Sequence, residues 1–146
     1  MWWKKKKNNE LNMYVQQLQI LKQANLRLRD IYAQLKSMPI AKDLISIIKI
    51  SENIFDELTV NKNKVVKMNL FIEYYIQEVL QITDKYIKIK KLKDEESEKL
   101  CEIIEEFIKC VNIAFENIYK DLISFDKTEM EISMDILLNE LKEKIK

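Results

Sequence analysis

The 146-residue chain contains no glycine and no histidine, and its single proline is Pro39. Without glycine there is no GxGxxG dinucleotide loop, no GxxxxGK[ST] phosphate loop and no G-x-S-x-G nucleophile elbow. Without histidine there is no imidazole general base, no Ser-His-Asp triad and no histidine-bearing zinc site. Tight hairpins that need positive φ would have to rest on Asn or Asp, which argues against a fold of many hairpins. Long apolar runs are missing as well. Leu44 to Ile50 is the longest, and Ser46 and Lys49 interrupt it, far short of the roughly 18 apolar residues that cross a bilayer. The leading Met1-Trp2-Trp3-Lys4-Lys5-Lys6-Lys7 has the charge of a signal-peptide start, but Asn8-Asn9-Glu10 stands where its apolar core would be. Cys101 and Cys110 are nine residues apart, which on a helix places them on opposite faces. They are expected to be reduced thiols, small and at least half-buried, with no shared disulfide or metal.

What the chain does have is charge and a helical period. Charged residues make up 34% and apolar residues 47%, which is enough for one compact core. The net charge of +1 divides unevenly, +7 over residues 1–67 and −6 over residues 68–146. Apolar spacings of three and four recur along almost the whole length, the signature of amphipathic helices. The predicted fold is all-α, an antiparallel bundle of about five helices. A basic and aromatic tail, 1–8, precedes a long heptad-like helix, 9–37, and a bundle over 38–146.

The first helix repeats at Leu11, Tyr14, Leu18, Leu21, Asn25, Leu28, Tyr32 and Leu35. Its seam holds one polar residue, Asn25, which either sets the register of a paired helix or lies partly exposed. The helix could pack on the bundle, project, or pair with a copy of itself, so homo-oligomerisation through 9–37 is one expectation. Pro39 ends it. A second helix follows with Leu44, Ile47, Ile48, Phe55 and Leu58 on one side, closing at Thr59 to Asn63, where Asn can cap or take a left-handed conformation. The third is predicted from Lys64 to Leu92, with Val65, Met68, Ile72, Tyr75, Val79, Ile82, Tyr86 and Ile89 inward. Asp94 is placed to cap the fourth helix, and Glu95 and Glu96 suit its first turn. That fourth helix is expected to bury Leu100, Ile104, Phe107, Val111, Ala114, Ile118 and Phe125, widened by Ile103, Phe115 and Leu122. Overlapping capping boxes, Asp126/Glu129 and Thr128/Glu131, predict a break and a fifth helix with Met130, Met134, Leu137, Leu138, Leu141 and Ile145 on one face.

Sites are sparser. Glu102, Glu105 and Glu106 are expected on a solvated face opposite the apolar seam, so no metal and no cofactor is assigned. Lys88, Lys90, Lys91 and Lys93 beside Tyr86 read as a solvated helix end, and the near-neutral charge speaks against nucleic acid. Trp2 and Trp3 with Lys4, Lys5, Lys6 and Lys7 form a candidate peripheral contact with an anionic membrane, the alternative being a solvated tail.

Phe71-Ile72-Glu73-Tyr74-Tyr75, then Leu80-Gln81-Ile82-Thr83-Asp84-Lys85-Tyr86, resembles the XpaC-like family, whose name is "5-bromo-4-chloroindolyl phosphate hydrolysis protein". Ala114-Phe115-Glu116 and Asp135-Ile136-Leu137-Leu138 look like its later elements, and the likeness covers residues from about 38 to 142. Members commonly continue the double tyrosine with Leu-Pro-Thr. Ile76-Gln77-Glu78 stands there in this chain, so no proline kink is expected. Many members carry membrane-spanning helices before this region, where this chain has Met1-Trp2-Trp3. The resemblance implies a helical, membrane-associated group discussed beside toxic-anion resistance, with a name that records a phenotype. It carries over no catalytic residue. Phe71, Tyr74, Tyr75, Tyr86 and Phe115 are read as packing anchors, with Tyr74 or Glu116 as the positions that would meet a partner. The expected role is a non-enzymatic interaction module with a protein partner, in the cytoplasm or at the inner membrane face; a phosphate-ester hydrolase is the alternative that the family name suggests.

Overall fold

A computed structural model describes residues 2–145, and the side chains of all of these except 125–133, 141, 144 and 145. Four α-helices carry the fold: α1, Trp2–Leu35; α2, Ala41–Val60; α3, Ile76–Lys90; and α4, Glu95–Ile145. A 3₁₀ stretch, Lys62–Met68, and a π-helical turn, Phe71–Tyr75, lead into α3. No strand occurs among the described residues.

Side-chain pairs give the helix directions. Asn25 meets Ser51 and Tyr14 meets Leu58, so α1 and α2 are antiparallel. Tyr86 meets Glu105 and Phe71 meets Phe115, so α3 and α4 are antiparallel too. Asn112 reaches Asp43 while Lys64 ties Glu57 to Leu122, so α2 and α4 run parallel. The pairing of Gln17 with Glu73, and the cleft shared by Ala24 and Leu80, set α1 parallel to α3. α1 packs on α2 and α3, and α4 packs on the same two. The two short links join antiparallel neighbours, α1 with α2 and α3 with α4, while the packed pairs α2/α4 and α1/α3 are parallel, so the bundle is antiparallel only in part. The α2-to-α3 connection crosses a diagonal and leaves α1 and α4 on opposite corners.

One core joins all four helices. α1 docks through Leu21, Ala24, Asn25, Leu28, Ile31 and Leu35, whereas Leu11 at the head of the same seam is exposed. The 9–37 seam is thus largely occupied within the chain. Asn25 is buried rather than partly exposed, and it accepts a hydrogen bond from the Ser51 hydroxyl, which is also buried. A buried amide is tolerated when it is paired, and this pair fixes the axial register of α1 on α2. α2 buries Ile54 beside the expected Leu44, Ile47, Ile48 and Leu58, and turns Phe55 to the core edge.

Two local expectations are corrected. The third segment is not one uniform helix: the 3₁₀ stretch and the π turn precede α3. A π turn inserts one residue into the helical repeat. Along the segment that follows, Ile76 is inward in place of Tyr75 and Thr83 in place of Ile82, while Val79, Tyr86 and Ile89 are buried as expected; the Thr83 hydroxyl returns to the Val79 carbonyl at 2.7 Å. The second correction concerns 126–131, where α4 continues unbroken through the predicted stop, 51 residues or about 76 Å long. Residues 95–145 contain neither Pro nor Gly, and a cap worth about 1 kcal/mol does not offset the several backbone hydrogen bonds a break would forfeit. The capping side chains of 126–131, with those of Phe125, Met130, Leu141 and Ile145, lie outside the described ones. Asn61 caps the end of α2, one of the two roles expected for it, at φ −116°, and the positive φ falls on Lys93 at 52°. Asp94 then caps α4 as expected, accepting from the Ser97 N–H at 2.8 Å, and this bond holds its carboxyl below the ordinary range.

α4 also presents a different face. Cys101, Ile104, Ile108, Val111, Phe115, Ile118 and Leu122 pack inward, a strict heptad ladder. Leu100, Ile103, Phe107 and Ala114, expected inside, are exposed. Ile104, Val111 and Ile118 belong to both faces. The apolar arc of this helix is wider than one seam, so its period alone does not select the centre.

Leu28 is fully buried and Leu11 exposed, so the two substitutions separate a docked α1 from a projecting one. Leu28→Ala should lower stability by about 2–5 kcal/mol. Leu11→Ala should change it by under about 0.5 kcal/mol, both read by urea denaturation.

Candidate interaction surface

The π turn decides what the family-like aromatic run does. It aims Phe71 into the core, where its ring meets Phe115 edge-on with centroids 4.9 Å apart and an interplanar angle of 66°. Tyr74 and Tyr75, expected as packing anchors, turn outward instead, 55% and 39% exposed. Their rings also lie edge-on, 5.7 Å apart. Opposite them, α4 presents Phe107, 44% exposed, and Ala114. Between the two helices opens a groove of about 550 Å³, walled by Tyr74, Tyr75, Phe107, Val111, Ala114 and Ile118, with Glu78 in its lining. Ile103 and Leu100 continue the uncovered stripe along α4 toward its N-terminus.

The remaining family-like positions separate. Tyr86 and Phe115 are buried. Glu116 lies on the surface and pairs with Lys120 at 3.5 Å. Asp135 and Ile136 are exposed on the far part of α4, some twenty residues and about 30 Å beyond Phe115. The structure therefore brings Phe71, Tyr74, Tyr75, Ala114 and Phe115 together and leaves Glu116, Asp135 and Ile136 apart from them. Trp2 and Trp3 sit on the first turn of α1, exposed, with Lys4 over the Trp3 ring and Lys6 over the Trp2 ring, each 5.5 Å from the centroid. Lys5 and Lys7 are exposed beside them.

Near the α3–α4 link a second cluster of polar groups is built. The Tyr86 hydroxyl donates to Glu105 Oε1 at 2.9 Å, and Lys90 stands 4.0 Å from the same oxygen and 5.7 Å from the Tyr86 ring centroid. Glu105 thus faces inward, contrary to the solvated placement expected for it, because it is the acceptor for a buried phenol. Glu102 and Glu106 are exposed as expected. Burial, and then the Glu105 carboxylate, push the Tyr86 phenol above its ordinary range. Burial likewise raises the Cys101 thiol, which keeps it protonated and unreactive. Cys110 is exposed, not half-buried. Lys88 pairs with Asp84 at 3.6 Å in the solvated end of α3. Among the described residues, no three His, Cys, Asp or Glu side chains gather where they could hold a metal ion. Nor is any described helix long and apolar enough to cross a membrane.

The family whose description reads "5-bromo-4-chloroindolyl phosphate hydrolysis protein" matches residues 5–137. The chain belongs to that family. The match takes in nearly all of α1, well before the start near residue 38 that the short motifs suggested, and it ends at 137 rather than 142. In this XpaC-like chain the family region is therefore the whole four-helix core, α1 included. No curated protein and no solved structure matches it.

Periodicity alone assigns Phe107 and Ala114 to the core and so conceals the groove. The available signal was a surplus: α4 has more large apolar residues than one helix face can bury.

The Tyr86–Glu105 contact has a pH signature. A phenol whose folded pKa lies above its unfolded value contributes stability that is complete below about pH 10 and is lost as pH rises through the folded value. Stability measured by urea denaturation should fall above about pH 10 in the wild type, and Tyr86→Phe should make that fall shallower. An equal alkaline slope in the two proteins would contradict the buried contact.

Proposed function

We propose that this XpaC-like chain is a non-enzymatic helical interaction module whose α3–α4 groove receives an apolar segment of a protein partner. The observation that carries the reading is the uncovered set Tyr74, Tyr75 and Phe107 beside a core that is already complete without them. Exposed aromatic residues flanking a concave apolar strip are the composition of a protein interface rather than of an ordinary surface. The rest of the chain suggests the charge of the occupant. Glu78 lines the groove, and residues 68–146 carry a net −6, so a segment with basic residues among its apolar ones is favoured. The groove lacks paired carboxylates and a nucleophile with an adjacent base, so recognition is the chemistry these side chains support.

The family description supports a second reading, hydrolysis of a phosphate ester. Two measurements on the purified, tagged chain separate them. For an adaptor, the proteins that copurify with the wild type should fall at least tenfold with Tyr74→Ser/Phe107→Asp and persist with Leu26→Asp, an exposed position elsewhere. The same preparation should leave the indolyl phosphate intact with and without divalent metal ions. Metal-dependent turnover abolished by Glu105→Gln or Glu116→Gln would defeat the adaptor reading and establish the hydrolase.

A further inference from the structure

At one end of the bundle, two helices continue where the other two stop. Tyr14 of α1 donates to the Leu58 carbonyl near the end of α2, and Lys64 joins Glu57 of α2 to the Leu122 carbonyl of α4. These contacts mark one level. Beyond it α1 extends to Trp2 and α4 to Ile145, roughly 18 Å and 35 Å further. α2 has ended at Val60, and the chain has turned through the 3₁₀ stretch toward α3. Since α1 and α4 occupy opposite corners of the bundle, the two corners between their extensions carry no helix.

The two extensions are unlike in charge and alike in what they leave uncovered. No described side chain before Tyr14 or after Leu122 is buried. Leu11, Met13 and Val15 are nonetheless apolar on α1, as are Met134, Ile136, Leu137 and Leu138 on α4, where Leu137 is 59% exposed. Residues 2–15 hold four lysines and one glutamate, net +3; residues 123–145 hold six carboxylates and three lysines, net −3. At the foot of the α1 extension lies a groove of about 480 Å³ with Leu11, Met13, Tyr14 and Val66 on an apolar floor; Lys7 and Lys62 outnumber the one acidic residue of its lining, Glu10.

We infer that two copies of the chain join end to end here, the acidic α4 extension of each descending beside the basic α1 extension of the other and seating its apolar residues in that groove. A two-fold axis between the copies makes the contact reciprocal and fills all four corners, so the bundle continues across the junction. Opposite net charges favour α1 beside the partner's α4 over either extension beside its own copy. They also favour a second copy over an anionic membrane. The lysines of α1 would be drawn to such a surface, but the −3 extension that stands on the same end would be repelled. This inference rests on different residues from the α3–α4 groove and stands or falls separately from it.

Sedimentation equilibrium of the full chain tests it, with flotation on phosphatidylserine vesicles run in parallel. The expected result is a dimer at micromolar concentration whose dissociation constant rises tenfold or more when salt is raised to about 1 M. Leu137→Asp/Leu138→Asp should give a monomer with an unchanged circular dichroism spectrum, since neither side chain contributes to the core. Changing Lys4, Lys5, Lys6 and Lys7 to Glu should weaken the dimer, and adding Asp135→Lys, Glu140→Lys and Glu143→Lys to that variant should restore it. A monomer at every concentration would overturn the inference. So would a dimer indifferent to these substitutions, or a monomer that floats with the vesicles.

Discussion

The structure depends on one ladder of apolar contacts, the seven side chains from Cys101 to Leu122 that α4 lays against α2 and α3. At roughly 1.5–3 kcal/mol for each large apolar side chain fully buried, it is a major share of what offsets the entropy of ordering the chain. The ladder also determines the surface. Once Cys101, Ile108, Phe115 and Leu122 point inward, Phe107 and Ala114 have to point toward Tyr74 and Tyr75, and Leu100 and Ile103 toward solvent. The groove is the remainder of an apolar arc that the core did not use.

A chain without glycine has few ways to reverse direction, and each of its turns is built from something else. Pro39 ends α1, aided by hydrogen bonds from Met38 to Leu35 and from Ala41 to Met38. Lys93 takes the left-handed conformation that glycine would otherwise supply, and Asp94 restarts the helix with its carboxylate. Between α2 and α3 the chain reverses over a longer path that begins at the Asn61 cap. It tightens into a 3₁₀ stretch and then widens into the π turn, and these two departures from the α-helix bring the chain across the diagonal of the bundle. The same π turn separates Phe71, in the core, from Tyr74 and Tyr75 at the surface, so the topology and the candidate interface share one local cause.

Much of this was legible in the residues. The helical class, the ends near Pro39 and Asn61, the Asp94 cap and the inward positions of Leu21, Leu28, Leu35, Leu44 and Ile47 all follow from spacing and capping chemistry. Other features were not, for physical reasons. Periodicity reports that a helix has an apolar arc, but the centre of a wide arc is chosen by its neighbours, which is why Phe107 was placed inside and Phe115 only at the edge. A π turn has no residue signature comparable to proline, so the switch from Tyr75 to Ile76 left no mark. Capping boxes at 126–131 describe a good helix start, yet they do not stop a helix that nothing else breaks. The family resemblance was carried by short aromatic motifs after residue 38, whereas α1, which the family match includes, has an ordinary amphipathic pattern that no short motif distinguishes.

The rotation of α4 is the claim on which the core, the groove and the roles of the aromatic residues converge, and its two cysteines report on it directly. In native protein, a thiol-specific maleimide should modify Cys110 rapidly and Cys101 only at the rate at which the bundle opens, with both equally reactive in denaturant. Equal, fast modification of both in native buffer would mean that α4 buries a different face, with neither the Cys101-to-Leu122 ladder nor the Tyr74–Phe107 groove in place.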